Sequence, residues 1–260
     1  MFKEPLFAEE RQARIVELLG QRHKLLVPEL CDYFTVSPAT IRNDLNELEE
    51  RGLLKRTHGG AISNVGTGYE QNSQQKAVKN RELKEAVAAR AAELVKDGDT
   101  IAIDTGTTME AFAARIAQKR SLTVVTNDCR IASLLEEQSD AAVILTGGAL
   151  RKGFHCTVGP VALETLSGLR VDKTFLATNG LTLESGLTTP DMNQAEVKRA
   201  MLRIGGQRIL LCDSTKIGHD SFARVADIDA VDVLVTDKGI PPEVMLALAE
   251  KEVQVRIAES

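Results

Sequence analysis

Five short stretches carry residue types suited to a hydroxyl-rich or phosphorylated ligand. They are Asp104-Thr105-Gly106-Thr107-Thr108, Asn127-Asp128, Gly147-Gly148 with Arg151 close behind, Asn179-Gly180, and Asp213-Ser214-Thr215-Lys216. Hydroxyls and amides bond sugar oxygens, a glycine lets backbone amides approach a phosphate, and Lys216 and Arg151 supply cations. The first stretch lacks the Lys-Ser/Thr of a P-loop and the G-x-G-x-x-G of dinucleotide folds, which argues against a nucleotide. Taken alone, 104–108 also reads as a plain helix cap. The other polar stretches turn the reading toward a ligand site, because each follows a short apolar run.

Those runs are the elements that must position the site. Residues 100–103, 122–126, 142–146, 173–178, 208–212 and 232–236 read as buried strands with helical patterns between them. Alternating strands and helices predict a mostly parallel α/β sheet, and such sheets bind ligands at the carboxyl ends of their strands.

A different chemistry lies in residues 37–48, S-P-A-T-I-R-N-D-L-N-E-L. Ser37 suits an N-cap and Pro38 the first helical position. Ile41, Leu45 and Leu48 form one buried stripe, which turns Ala39, Asn43 and Asn46 outward, with Thr40 and Arg42 beside them. A face of small, amide and guanidinium side chains can enter a major groove and meet base edges. Helices are expected over 8–22 and 28–34, and Thr35-Val36 forms a tight turn before the Ser37 cap. The arrangement is a helix-turn-helix. After Gly52, two short strands about Gly59-Gly60 form a wing carrying Lys55, Arg56 and His58, placed to meet phosphates.

Residues 64–78 are polar and rich in Gly, Asn and Gln, and read as a connector. The expected domains are 1–63, a linker over 64–79, and 80–260. Net charge is −5, and residues 1–60 hold nine Lys/Arg against ten Asp/Glu, so any basic surface must come from local placement. Cys31, Cys129, Cys156 and Cys212 are dispersed, with no C-x-x-C pair, which predicts a reduced cytoplasmic protein without a metal site. No cofactor is expected. No apolar run reaches membrane-spanning length, and no signal peptide is visible at the N-terminus.

R-x3-I-x3-L from Arg11, S-x2-T-I-R-N-D-L, and E-E-R-G-L-L-K-R-T-H-G-G-A resemble the DeoR family of bacterial transcriptional regulators. The resemblance implies a winged-helix domain with Ser37, Thr40, Arg42 and Asn43 at the DNA. Asp44 belongs to the same motif, but its direction lies near the core edge, so it reads as an internal anchor for an Arg or Lys near the wing. Residues 80–257 resemble the family's effector domain, which is similar to ribose-5-phosphate isomerase. The matching residues are 104–108, Thr126-Asn127-Asp128, Gly147-Gly148 with Arg151, Asn179-Gly180 and 213–216. The resemblance implies a sugar-phosphate or polyol-phosphate effector. Where the isomerase carries an acidic run this chain has N-G-L-T-L, and Lys198 falls at the place of its glutamate base. Isomerisation needs a carboxylate to shuttle a proton, so the site reads as kept for binding. Glu184, Asp191 and Glu196 lie close enough in sequence to leave a relocated base open.

The leading expectation is a repressor of a sugar or polyol operon, released or engaged by a phosphorylated effector, and paired as a homodimer or homotetramer on symmetric half-sites. The competing readings are an isomerase-like enzyme with an accessory DNA-binding arm, and a purely architectural DNA-binding protein.

Overall fold

The computed structural model describes residues 7–22, 24–57, 59–63 and 70–259, and the chain divides into two units that meet between residues 71 and 72. The N-terminal unit runs α1 (Ala8–Arg22), β1 (Lys24–Leu26), α2 (Val27–Phe34), α3 (Pro38–Glu50), β2 (Leu54–Thr57) and β3 (Gly60–Ser63). Its core is aliphatic. Ile15, Leu18 and Leu19 of α1 meet Leu30 and Phe34 of α2, and Ile41, Leu45 and Leu48 of α3. Thr35 closes α2 in the left-handed conformation at φ +56°, and two residues later Ser37 caps α3, its Oγ accepting the Thr40 amide at 3.2 Å. The wing has one more strand than expected, since β1 joins in the order β1-β3-β2, all antiparallel. Three residues are too short a run to show a period in the sequence. Gly60 is required there, because a Cβ would lie 2.0 Å from the Leu25 carbonyl oxygen.

The C-terminal unit begins earlier than expected. Residues placed in the connector form a helix, α4 (Ser73–Val78), held by reciprocal capping between Asn72 and Gln75 at 2.9 and 3.0 Å. There follow α5 (Arg81–Ala92), β4 (Thr100–Ile103), α6 (Thr107–Ile116), β5 (Thr123–Thr126), α7 (Cys129–Gln138) and β6 (Ala142–Leu145). Next come the hairpin β7 (Ala149–Arg151) and β8 (Cys156–Val158), then α8 (Pro160–Ser167), β9 (Val171–Ala177), β10 (Gly180–Thr182) and β11 (Gly186–Thr189). The chain ends with α9 (Met192–Ile204), β12 (Gly205–Leu211), β13 (Ala223–Ala226), β14 (Val233–Thr236), α10 (Pro242–Glu250) and β15 (Gln254–Ile257).

Seven strands form one parallel sheet in the order β15-β14-β12-β9-β4-β5-β6. Successive side chains go to opposite faces. Ile101, Ile103, Val124, Phe175 and Ile209 pack under α5 and α6 with Val87, Phe112 and Ile116. Ala102, Val125, Leu176, Leu210 and Leu234 pack on the other side with Leu166, Met201 and Leu248. From β4 the strands proceed outward one way, and from β9 the other. The β4–β9 pair is therefore the switch point, the place outside the carboxyl ends of the strands at which open α/β sheets bind ligands.

Candidate functional site

In the N-terminal unit, Ser37, Ala39, Arg42, Asn43, Asn46 and Lys55 are exposed, and Thr40 and Arg56 half-buried. Ser37 and Thr40 spend their hydroxyls on each other at 2.9 Å, so both serve the cap. Arg42, Asn43 and Lys55 have no partner among the described residues. Arg56 binds the Asn46 side chain, and its amide donates to Glu49 at 2.7 Å, which ties the wing to α3. His58 lies outside the described residues. Asp44 corrects the expectation made for it. It is an internal anchor, but its cation is Arg11 of α1 rather than a wing residue, at 2.5 and 3.0 Å. Both are deeply buried, at 7% and 3% exposure. Hydrogen bonding to Asp44 holds the Arg11 guanidinium above its ordinary pKa, against the cost of burial.

In the C-terminal unit, the expected stretches at the ends of β4, β5, β9 and β12 share one edge of the sheet. Asp128 gathers the first two. Its Oδ2 accepts from Thr105 Oγ1 at 2.5 Å, and its Oδ1 caps α7 through the Arg130 and Ile131 amides. Burial pushes its carboxyl up, against those hydrogen bonds and one from the Gly106 amide. Thr126, Asn127 and Asp128 are all buried. Asn127 donates to the Thr157 carbonyl at 3.0 Å, while its Oδ1 has no partner.

Several residues expected at the ligand prove to be committed elsewhere. Lys198 is buried, and its ammonium is bound by Asp104 Oδ2 and the Ala177 carbonyl. It neutralises Asp104, whose Oδ1 is left without a partner. Arg151 pairs with Asp191 at 3.5 Å, and its guanidinium lies 3.8 Å from the centre of the Phe154 ring. Gly147 and Gly148 serve packing, since a Cβ on either would strike Val161 or the Val158 carbonyl. Asn179 accepts from Thr189 at 3.0 Å, and a Cβ on Gly180 would lie 2.2 Å from the His219 carbonyl. Asp213 caps the turn that carries Lys216 through the Thr215 amide at 3.2 Å.

What remains is a cationic cradle that the sequence reading missed in part. α6 starts at Gly106 (φ +127°) with no side chain capping its first amides. Lys84 of α5, a lysine only 7% exposed, acts by charge on Glu110 in the first turn of α6. Burial first, and then the charges of Lys216, Lys76 and Lys79, push its ammonium down to about 8, with Asp213 opposing. Lys79 is lowered for the same reasons, burial and then Lys216. Lys216 itself has no partner among the described residues. Helix N-terminal amides and lysines together favour an anion. The signal for Lys84 was present: with Val87, Ala88 and Ala91 it shares the buried face of α5, where a cation is out of place unless it has a task.

Among the described residues no cluster of three or more His, Cys, Asp or Glu could hold a metal, and no helix is long and apolar enough to cross a membrane.

Residues 11–67 match the DeoR-like helix-turn-helix domain and residues 79–238 the DeoR C terminal sensor domain. The chain is 41% identical over 228 residues to the HTH-type transcriptional regulator GlpR of Haloferax volcanii, covering 88% of this chain and 89% of that one. It is 34% identical over 251 residues to the glycerol-3-phosphate regulon repressor of Escherichia coli, covering 95% and 98%. A solved ribose 5-phosphate isomerase A from Methanocaldococcus jannaschii overlaps 54% of this chain and 55% of its own, at 18% identity and a TM-score of 0.40. With family models matching both units and relatives of 34% and 41% identity spanning most of the chain, the chain belongs to the DeoR family of transcriptional regulators.

Proposed function

We propose that this regulator is a repressor of a sugar or polyol catabolic operon whose effector is a small phosphate monoester held in the Lys84–Lys216 cradle. The buried Lys84 carries the reading: a lysine stays in such a place when an anion rewards it. Thr107 and Thr108 offer amides and hydroxyls, and the orphaned oxygens of Asp104 and Asn127 are left to accept from ligand hydroxyls. The Escherichia coli relative's name points to glycerol 3-phosphate as the first compound to try.

The same side chains argue against turnover. Asp104 is neutralised by Lys198, and Asp128 spends both oxygens on the loop and on α7. Asp191 caps α9 through the Gln194 amide and binds Arg151, while Glu184 and Glu196 are exposed. The reading is thus a cytoplasmic binding protein, paired as a homodimer or homotetramer, with Arg42, Asn43 and Asn46 toward bases and Lys55, Arg56 and His58 toward phosphates.

The direct test is a thermal-shift screen of phosphorylated sugars and polyols, each hit then assayed for release of a duplex selected from a random pool. A hit that stabilises the protein and releases the duplex supports the reading; turnover of the hit overturns it. Arg42→Ala should weaken that duplex by about 1–3 kcal/mol, as for a lost base contact, with unchanged circular dichroism. Equal affinity in the variant removes Arg42 from the interface.

Lys84 also sets a pH dependence. Its ammonium titrates near 8 in the free protein, and a bound dianion favours the charged form, so affinity falls as pH rises through that value. Calorimetry at pH 8.5 in two buffers of different ionisation enthalpy should show proton uptake on binding. Lys84→Met should abolish the uptake and cost about 1.5–3 kcal/mol of affinity, the range of a charged hydrogen bond.

A further inference from the structure

Residues 72–80 lead from the sensor domain back toward the DNA-binding domain, and two of the contacts that hold them reach the anion cradle, at Lys84 and beside Lys216. The Ser73 amide donates to the Gly153 carbonyl at 3.0 Å. The Lys84 ammonium, central to the cradle, donates to the Lys76 carbonyl of α4. Lys76 Nζ lies 5.7 Å from the centre of the Phe154 ring. Asn80 Nδ2 donates to Thr215 Oγ1 at 2.9 Å, next to Lys216. A six-residue helix has no stability of its own, so α4 is ordered by these contacts or not at all.

The charges make that order conditional. Lys76 and Lys79 belong to the segment, Lys84 and Lys216 to the domain; Lys84 feels the charges of the other three, and Lys79 that of Lys216. Asp213 opposes them, and Glu110 interacts with Lys84 from α6. With no anion the cluster repels the segment that carries half its charge. A dianion among the lysines reverses the sign and leaves Lys84 fixed between ligand and Lys76 carbonyl.

We propose that the bound phosphate fastens residues 72–80 onto the sensor domain, so that effector occupancy is passed to the DNA-binding domain as tighter or looser docking of the segment that joins them. The inference rests on the cradle being the effector site. The ligand and the docked segment then stabilise each other by the same factor, as linkage requires.

Hydrogen exchange of the full chain, with inorganic phosphate against sodium chloride of equal ionic strength, tests both levels. Slowing at Thr107 and Thr108 reports the cradle. Slowing of residues 74–80 by about fivefold or more, the low end of allosteric couplings, is the expected result. Slowing at Thr107 and Thr108 with unchanged or faster exchange over 74–80 overturns the fastening and leaves the effector site standing. No slowing at Thr107 and Thr108 overturns the effector site and the fastening with it.

Ser73→Pro adds a second measurement. Proline is tolerated at the first helical position, and Asn72 (φ −66°, ψ 168°) already has the extended geometry that precedes proline. The change removes the amide that holds Gly153 and touches no residue of the cradle. Phosphate affinity should fall severalfold, and an unchanged affinity overturns the fastening.

Discussion

Asp44→Ala is expected to unfold the DNA-binding domain at temperatures where the sensor domain stays folded. The variant leaves the Arg11 guanidinium buried with its bidentate partner gone. Breaking a buried pair from one side costs about 3–5 kcal/mol. A domain of this size has little more than that to lose, because a small core supplies only about 3–5 kcal/mol net. Glu47, whose charge also acts on Arg11, is exposed and takes Gln12 at 2.6 Å, so it replaces Asp44 only weakly. Scanning calorimetry should show the N-terminal transition lost or moved far down, with the later one in place. DNA binding should vanish although Arg42 and Asn43 are untouched. Arg11→Met with Asp44→Leu should recover much of the stability, since apolar replacement of a whole buried pair is often neutral. An unshifted first transition in Asp44→Ala would show that the pair contributes nothing.

Lys198→Met should do to the sensor domain what Asp44→Ala does to its neighbour. Asp104 sits at the β4–β9 switch point, where Oδ2 takes the Ala177 amide at 3.0 Å together with the Lys198 ammonium. Without the lysine that carboxylate is buried and unbalanced, again at a cost of about 3–5 kcal/mol. For a domain near 190 residues this lowers Tm by roughly 6–20 °C. Adding Asp104→Asn should return part of the loss, because a neutral amide needs no counter-charge. If Lys198 instead served the ligand, the variant would keep its Tm and lose effector affinity.

Period and burial explain which parts of this fold could be read from residues alone. The central strands β4, β5, β9, β12 and β14 are apolar runs, largely buried; β6, an equally apolar run expected to be buried, is an edge strand with Ile144 and Leu145 exposed. α3 announces itself by Ile41, Leu45 and Leu48. β1 and the β7–β8 hairpin are three-residue strands, shorter than any period. α4 reads as connector on composition, although Asn72 and Gln75 spell its capping box. Asp44 could be turned inward from its place on the helix, yet its partner stands 33 positions away, where spacing has no reach. The cradle was half legible. Thr107, Thr108 and Lys216 follow from strand ends, but Lys84 arrives from a helix face. Which charges are already spent, as with Lys198 and Arg151, is decided by tertiary pairing.

The DNA-binding domain spends some of its own cations on its own carboxylates. Arg11 goes to Asp44 and Arg14 to Glu17, while Arg51 and Arg56 bind the neutral amides of Gln12 and Asn46 and keep their charge. Residues 1–60 carry no net positive charge, so the domain is expected to displace few counterions from the duplex, and its hold on random sequence should be slight and only mildly eroded by salt. The expected search is mostly detached, by repeated collisions rather than long slides. Discrimination then falls on the few side chains of α3 that reach the groove floor, and each of them weighs more than it would on a strongly basic scaffold.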